Sequence, residues 1–159
     1  MKIVVVVTSV DLRSRLGGMP AYWQLLKALY ETGNEIVVIP YLGRAHESLL
    51  WQMRPSPLRL PWEVRHALSK KFLHRRSGGN CGFRERMVFT LTKMLTCAIW
   101  RKYLLKVVQS EENVDALLFL GLPVNQIQGI SRGIKNKFNI KTAFFEGDVP
   151  AILSRVQRG

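Results

Sequence analysis

Two β-branched runs and the stretch between them decide the fold: "KIVVVVTS" (Lys2–Ser9), then "LRSRLGGMPAYWQLLKALYETGNEIVVI" (Leu12–Ile39). Between Lys2 and Thr8 the first run is apolar at every position, the pattern of a strand buried on both faces of a parallel sheet. From Pro20 to Thr32 the apolar residues Ala21, Leu25, Leu26, Ala28 and Leu29 recur at helical spacing and form one face. Pro20 suits a first helical turn, where its missing N–H costs nothing, and Gly33 suits the C-terminal cap. "EIVVIP" (Glu35–Pro40) then reads as a second buried strand. Strand, loop, helix and strand within roughly 40 residues make a βαβ unit, with a right-handed crossover expected.

The same reading extends outward. "DALLFLG" (Asp115–Gly121) is a third strand, Asn125–Phe138 is helical in pattern, "KTAFFEGD" (Lys141–Asp148) is a further strand, and Pro150–Val156 begins another helix. Between the two halves, Ser48–Met53 reads as a short helix and "RPSPLRLP" (Arg54–Pro61) as a proline-broken connection. Trp62–Phe72 reads as a basic amphipathic helix, and "HRRSGGNCG" (His74–Gly82) as a loop. Arg84–Gln109 is a long helix, apolar nearly all round, with Trp100 and Leu104 expected to pack against the sheet. The expected fold is α/β: a three-layer, Rossmann-like, doubly wound parallel sheet, one domain over residues 1–159 with a basic helical insert at about 46–110.

Composition narrows the function classes. With 47% hydrophobic and 22% charged residues, the chain is not a disordered one. Its net charge of +13 is unevenly placed: Arg54 to Lys106 holds 13 basic and two acidic residues, a net of +11, inside a nearly neutral frame. Such a block attracts polyanions, whether lipid headgroups, phosphorylated substrates or nucleic acid. Cys81 and Cys97 show no C-x-x-C spacing and no His/Cys cluster accompanies them, so no metal site is expected, and a reduced, cytoplasmic setting is. The opening apolar run is too short for a signal-peptide core, and no run of about 20 apolar residues suggests a membrane span.

In open α/β sheets, ligands bind beyond the carboxyl ends of the strands. Those ends carry "SVDLRSRLGG", "PYLGRAHE", "GLPVNQ" and "EGDVP". The first bears the pair Gly17 and Gly18 just before a helix N-terminus, where backbone amides can meet an oxyanion closely. A dinucleotide fingerprint would need G-x-G-x-x-G and an acid after the second strand, and a Walker loop would need G-K-[ST]; both are absent. Within these loops Asp11 and Arg13 are candidate substrate contacts, and Glu146 and Asp148 are polar groups at a strand end. His46, Glu146 and Asp148 are candidate catalytic groups, against the plainer readings of His46 as a surface residue and Asp148 as a helix cap.

A hydrophobic strand, a loop closing in Gly-Gly, a helix continuing into "LLKALYETGNEIVVI" and a later strand ending in an acidic turn resemble the N-terminal Rossmann-like domain of GT-B glycosyltransferases, most closely the retaining, glycogen-synthase-like group. Asn34 stands where that group usually has His. The resemblance covers residues 1–40 well, 115–150 loosely and the basic middle hardly at all. It implies an acceptor-binding half, with Gly17 and Gly18 approaching the transferred sugar or donor phosphates when a cleft closes, and with Glu146 and Asp148 as substrate contacts at a strand end. It implies no cofactor bound by this domain alone, a UDP- or GDP-sugar as the donor of the complete enzyme, and a C-terminal donor-binding domain or partner subunit to hold it. A chain of this length supplies only the first domain, so independent catalysis is not expected. Where the acceptor is lipid-linked, the resemblance implies peripheral docking at the inner face of an anionic membrane. For that role Trp62, Arg65, Lys70, Lys71, Arg75 and Arg76 are the candidates. Two other readings stand beside it. One is a nucleic-acid-binding α/β domain with Trp62 and Phe83 as stacking platforms, disfavoured by the lack of a binding motif. The other is a non-catalytic Rossmann-like module.

Overall fold

The computed structural model describes residues 1–8, 10, 20–41, 45, 48–58, 83–122 and 129–145. Within them the chain forms β1 (Lys2–Val7), α1 (Pro20–Glu31), β2 (Glu35–Pro40), β3 (Gln52–Met53), α2 (Phe83–Ser110), β4 (Val114–Leu120), α3 (Ile130–Phe138) and β5 (Lys141–Phe145). The five strands make one sheet in the order β3-β2-β1-β4-β5, and every pairing is parallel. This is a Rossmann-like α/β parallel-sheet fold. No helix among the described residues is long and apolar enough to cross a membrane.

β1 is central, with β2 on one side and β4 on the other, which is why its valines are buried throughout. Alternate residues feed two cores. Val4 and Val6 join Val37, Ile39, Leu117 and Phe119 in one cluster with Trp100 and Leu104 of α2 and Ile130 and Ile134 of α3. Ile3, Val5 and Val7 join Ile36 and Val38 in a second cluster with Tyr22 and Leu26 of α1. Fully burying one such side chain, Leu26 for instance, contributes about 1.5–3 kcal/mol. α1 ends where the sequence places its cap: Gly33 has φ +80° and donates its N–H to Tyr30, while the Asn34 side-chain amide donates to the Leu29 carbonyl at 2.8 Å.

α2 descends past the sheet from its carboxyl edge to its amino edge. Trp100 stacks on Tyr41, just beyond the carboxyl end of β2, with ring centroids 5.0 Å apart; Tyr103 donates to the Pro55 carbonyl; and Glu111, just after the helix, pairs with Lys2 at the start of β1. At that amino edge Lys2 bridges Glu111 (2.9 Å) and Glu35 (3.1 Å), and Arg54 donates to Glu111 from Nε and Nη2. Burial alone would push the Glu111 carboxyl up; the hydrogen bonds from Lys2 and Arg54 outweigh it and hold the group below the usual carboxylate range. The Lys2 ammonium is raised in turn, first by its bond to Glu111 and then by its bond to Glu35.

Two expectations need correction. Ser48–Met53 is not a helix: the chain bends through 49–51 and Gln52–Met53 pair with Val37–Val38 as the edge strand β3. The spacing of Leu49, Leu50 and Met53 imitates a helical face, but so short a segment, stopped by Pro55 and Pro57, cannot nucleate one, and β2 offers an open edge instead. The long helix also packs less than expected. Trp100 and Leu104 are buried as predicted, with Val107 and Val108 beside them, whereas Met87, Leu91, Met94, Leu95 and Ile99 are exposed. A helix of 28 residues is about 42 Å long, and strands of six residues span about 20 Å, so the sheet cannot cover it.

Candidate functional site

The carboxyl ends of β1 and β4 are the place where this topology opens a crevice. From β1 the chain crosses by α1 to β2 on one side; β4 lies on the other side and leads to β5. The connections from these two neighbours lead to opposite sides of the sheet, and the point between them is where ligands settle in such sheets. The gap has a defined floor. Thr8, the first residue after β1, donates its backbone N–H to the Leu120 carbonyl at 3.0 Å, and its hydroxyl lies within bonding distance of the carbonyls of Leu120 and Gly121. Gly121 in turn donates its N–H to Phe145 at 2.8 Å, so β1, β4 and β5 are stitched together where they end.

Tyr22 closes this floor from the α1 side. It belongs to the first turn of α1, is buried, and meets the Phe145 ring edge-on at a centroid distance of 6.5 Å. Its hydroxyl lies directly over Gly121: a Cβ built there would stand 2.1 Å from Tyr22 Oη and 2.9 Å from Thr8 Oγ1. Glycine is required twice over, because Gly121 also has φ +64°. Next to Tyr22, Trp23 donates its indole N–H to the Val10 carbonyl at 2.9 Å and pins the exit from β1 to the helix. A hydroxyl, a tyrosine and backbone groups thus converge at the β1–β4 gap without a charged side chain among the described residues.

Every sequence-predicted site residue lies outside the described residues. Asp11, Arg13, Gly17 and Gly18 belong to the segment between Val10 and Pro20, whose two ends sit at this carboxyl edge; His46 belongs to the connection after β2; Glu146 and Asp148 follow β5. Trp62, Arg65, Lys70, Lys71, Arg75 and Arg76 fall within 59–82. Thr8, Tyr22 and Gly121 were not singled out by the sequence. The signals that could have found them are the threonine ending a valine run and the glycine ending "DALLFLG", which a parallel pairing of these strands brings side by side.

The titratable groups with displaced pKa values lie away from this gap. Lys2 and Glu111 brace the amino edge, and Tyr103, whose hydroxyl is pushed up by burial against the opposing charge of Arg54, bonds to Pro55. They are architectural. Among the described residues no group of three or more His, Cys, Asp or Glu is placed to hold a metal ion. Two surface hollows also lie elsewhere. One of about 580 Å³ runs along the β2–β3 edge by Tyr30, Leu49 and Trp51, and one of about 530 Å³ lies between α2 and the start of α3. We place the site at the carboxyl ends of the strands rather than in either hollow, because that is where open parallel sheets bind their ligands.

Compared with family models, curated proteins and solved structures, the chain matches none.

Proposed function

We propose that this chain is the N-terminal, acceptor-binding half of a GT-B glycosyltransferase of the retaining, glycogen-synthase-like group, built on a doubly wound sheet with a basic helical insert. The observation that carries the reading is the β1–β4 gap itself. The segment bearing Gly17 and Gly18 connects Val10 to Pro20, and Thr8, Tyr22 and Gly121 lie together beside those two ends. In this reading the acceptor is a hydroxylated, lipid-linked molecule held at that floor, at the cytoplasmic face of a membrane. Thr8 and the loop residues Asp11 and Arg13 orient its hydroxyls, and Glu146 and Asp148 approach from the end of β5. A second Rossmann-like domain, on the same polypeptide or a partner subunit, brings a UDP- or GDP-sugar, and Gly17 and Gly18 let the transferred sugar approach the backbone. Catalysis by this half alone is not part of the proposal, since positioning an acceptor lowers a barrier only when the donor is held opposite it.

Calorimetric titration separates this from the other readings. The expected result is binding of a glycosylated or phosphorylated acceptor with no binding of NAD or ATP. Tight NAD or ATP binding would overturn it, and so would oligonucleotide binding with a steep salt dependence and no acceptor binding.

A further inference from the structure

One face of α2 is a largely apolar seam left open among the described residues. Met87, Leu91, Met94, Ala98, Arg101 and Leu105 follow one another at alternating intervals of four and three residues, so they share one face over about 27 Å of helix. All but the half-buried Leu105 are exposed, and Leu95 and Ile99 widen the face on one flank. Towards its later end the seam is concave. Met94, Ala98, Arg101, Lys102 and Leu105 line the hollow of about 530 Å³ that Gly129, at the start of α3, closes on the other side. Arg101 reaches across to α3: a Cβ built at Gly133 would stand 3.6 Å from its Nε and Nη2. α2 and α3 together hold nine basic residues and one acidic, Glu85, which lies in the first turn of α2 and away from the hollow. Arg101, Lys102 and Arg132 are exposed, and none of them is ion-paired with a described carboxylate.

We infer that this face is a docking groove for an acidic amphipathic helix of a partner protein, its apolar residues set on the seam and its carboxylates against Arg101, Lys102 and Arg132. A seam at coiled-coil spacing takes a second helix through matching apolar positions. Met87 and Met94 supply the adaptable packing found on helix-binding surfaces. Arg101 sets the register, because it interrupts the apolar seam and burying it requires a carboxylate opposite. Charge disfavours a second copy of this chain as the occupant. An antiparallel pair would set the end bearing Arg84 and Arg86, relieved only by Glu85, against Arg101, Lys102 and Lys106; a parallel pair would set like on like. A bilayer is flat, whereas the basic end of the seam is a hollow, and between Met87 and Ile99 the chain offers headgroups only the half-buried Lys93. The inference rests on α2 and α3 alone and is independent of what the β1–β4 gap binds.

The test is fluorescence anisotropy of the full chain with labelled synthetic peptides of roughly three heptads. One has Leu at positions a and d and Glu at e and g, and its acidic flanks keep it from pairing with itself. A second has the same composition in scrambled order, and a third keeps the Leu pattern with Lys in place of Glu. Binding of the first alone, weakened by salt and accompanied by a gain of helical circular dichroism, is expected. Leu91→Ser with Met94→Ser should weaken it by at least about tenfold. Arg101→Glu with Lys102→Glu should also weaken it by at least about tenfold at low salt, and should confer binding of the third peptide. Leu49→Ser, at a fully exposed leucine on the β2–β3 edge, should leave it unchanged. All these side chains are exposed, and unchanged thermal unfolding verifies that each variant folds. Failure of the first peptide to bind, equal binding of the scrambled peptide, or a Leu91→Ser/Met94→Ser variant that binds like the parent overturns the inference. A dimer that this double variant dissociates also overturns it and assigns the seam to a second copy. Binding to phosphatidylglycerol vesicles in place of the peptide, lost in the same variant, overturns it and assigns the seam to a bilayer.

Discussion

Replacing Gly121 by alanine tests the description of the strand-end floor. The substitution adds one methyl group at φ +64°, where an L side chain costs roughly 1–2 kcal/mol in backbone strain. The new Cβ would also stand 2.1 Å from Tyr22 Oη, 2.8 Å from Tyr22 Cζ and 2.9 Å from Thr8 Oγ1, all inside van der Waals contact. Tyr22 is buried and engaged with Phe145, so it can yield only by giving up packing; overfilling of this kind costs typically about 1–3 kcal/mol. Together Gly121→Ala should lose about 2–5 kcal/mol, a fall in Tm on the order of 5–15 °C for a chain of this size. Gly33→Ala supplies the comparison, because Gly33 has φ +80° but nothing within 4 Å of the added carbon, so it should show the strain without the crowding. Urea denaturation of both variants and of each with Tyr22→Ala gives the coupling. Gly121→Ala should cost at least about 1 kcal/mol more than Gly33→Ala, and Tyr22→Ala should remove most of that excess. Equal losses in the two glycine variants, or an excess that Tyr22→Ala leaves untouched, would refute the packing described here.

Four further outcomes are expected. Glu111→Gln should cost about 2–3 kcal/mol, discounted from a fully buried pair because Arg54 is half exposed. Since the Glu111 pKa is lowered on folding, its contribution is present above about pH 4.3 and is lost as pH falls through the folded value, so acid unfolding should be shallower in the variant. The raised Lys2 pKa acts in the opposite sense: its contribution is complete below about pH 10.4 and disappears as pH rises through the folded value, which Lys2→Met should abolish in alkaline titrations of stability. Trp100→Ala, which empties a fully buried position stacked on Tyr41, should lose about 3–5 kcal/mol by chemical denaturation. By contrast Glu31→Gln, at an exposed pair on α1, should change stability by less than about 0.5 kcal/mol.

What the sequence disclosed follows from how each segment is buried. β1 and β2 are buried on both faces beyond their first residues, and β4 is buried or half-buried from Ala116 on, so their apolar runs are continuous and plain to read. The βαβ unit from Lys2 to Pro40 is found as expected, and the long helix, read as Arg84–Gln109, runs Phe83–Ser110. β3 escaped because two residues carry no periodicity, and its pairing depends on the open edge of β2. The exposure of Leu91 and Leu95 escaped because apolar character alone does not say how far a sheet extends beneath a helix. At the site, topology could indicate the strand ends as the place, but Thr8 and Gly121 acquire meaning only in the β1–β4 register, and Tyr22 only when α1 lays its first turn over Gly121.

The central claim is that the β1–β4 gap receives the acceptor. Amide chemical-shift mapping of the isotope-labelled chain, titrated with a detergent-solubilised polyisoprenyl phosphate sugar, addresses it directly. The account expects the largest shifts at Thr8, Tyr22, Gly121 and Leu122, abolished by Gly121→Ala. Shifts confined to the β2–β3 hollow around Leu49 and Trp51, or to the ion pairs of Lys2 and Glu111, would contradict it.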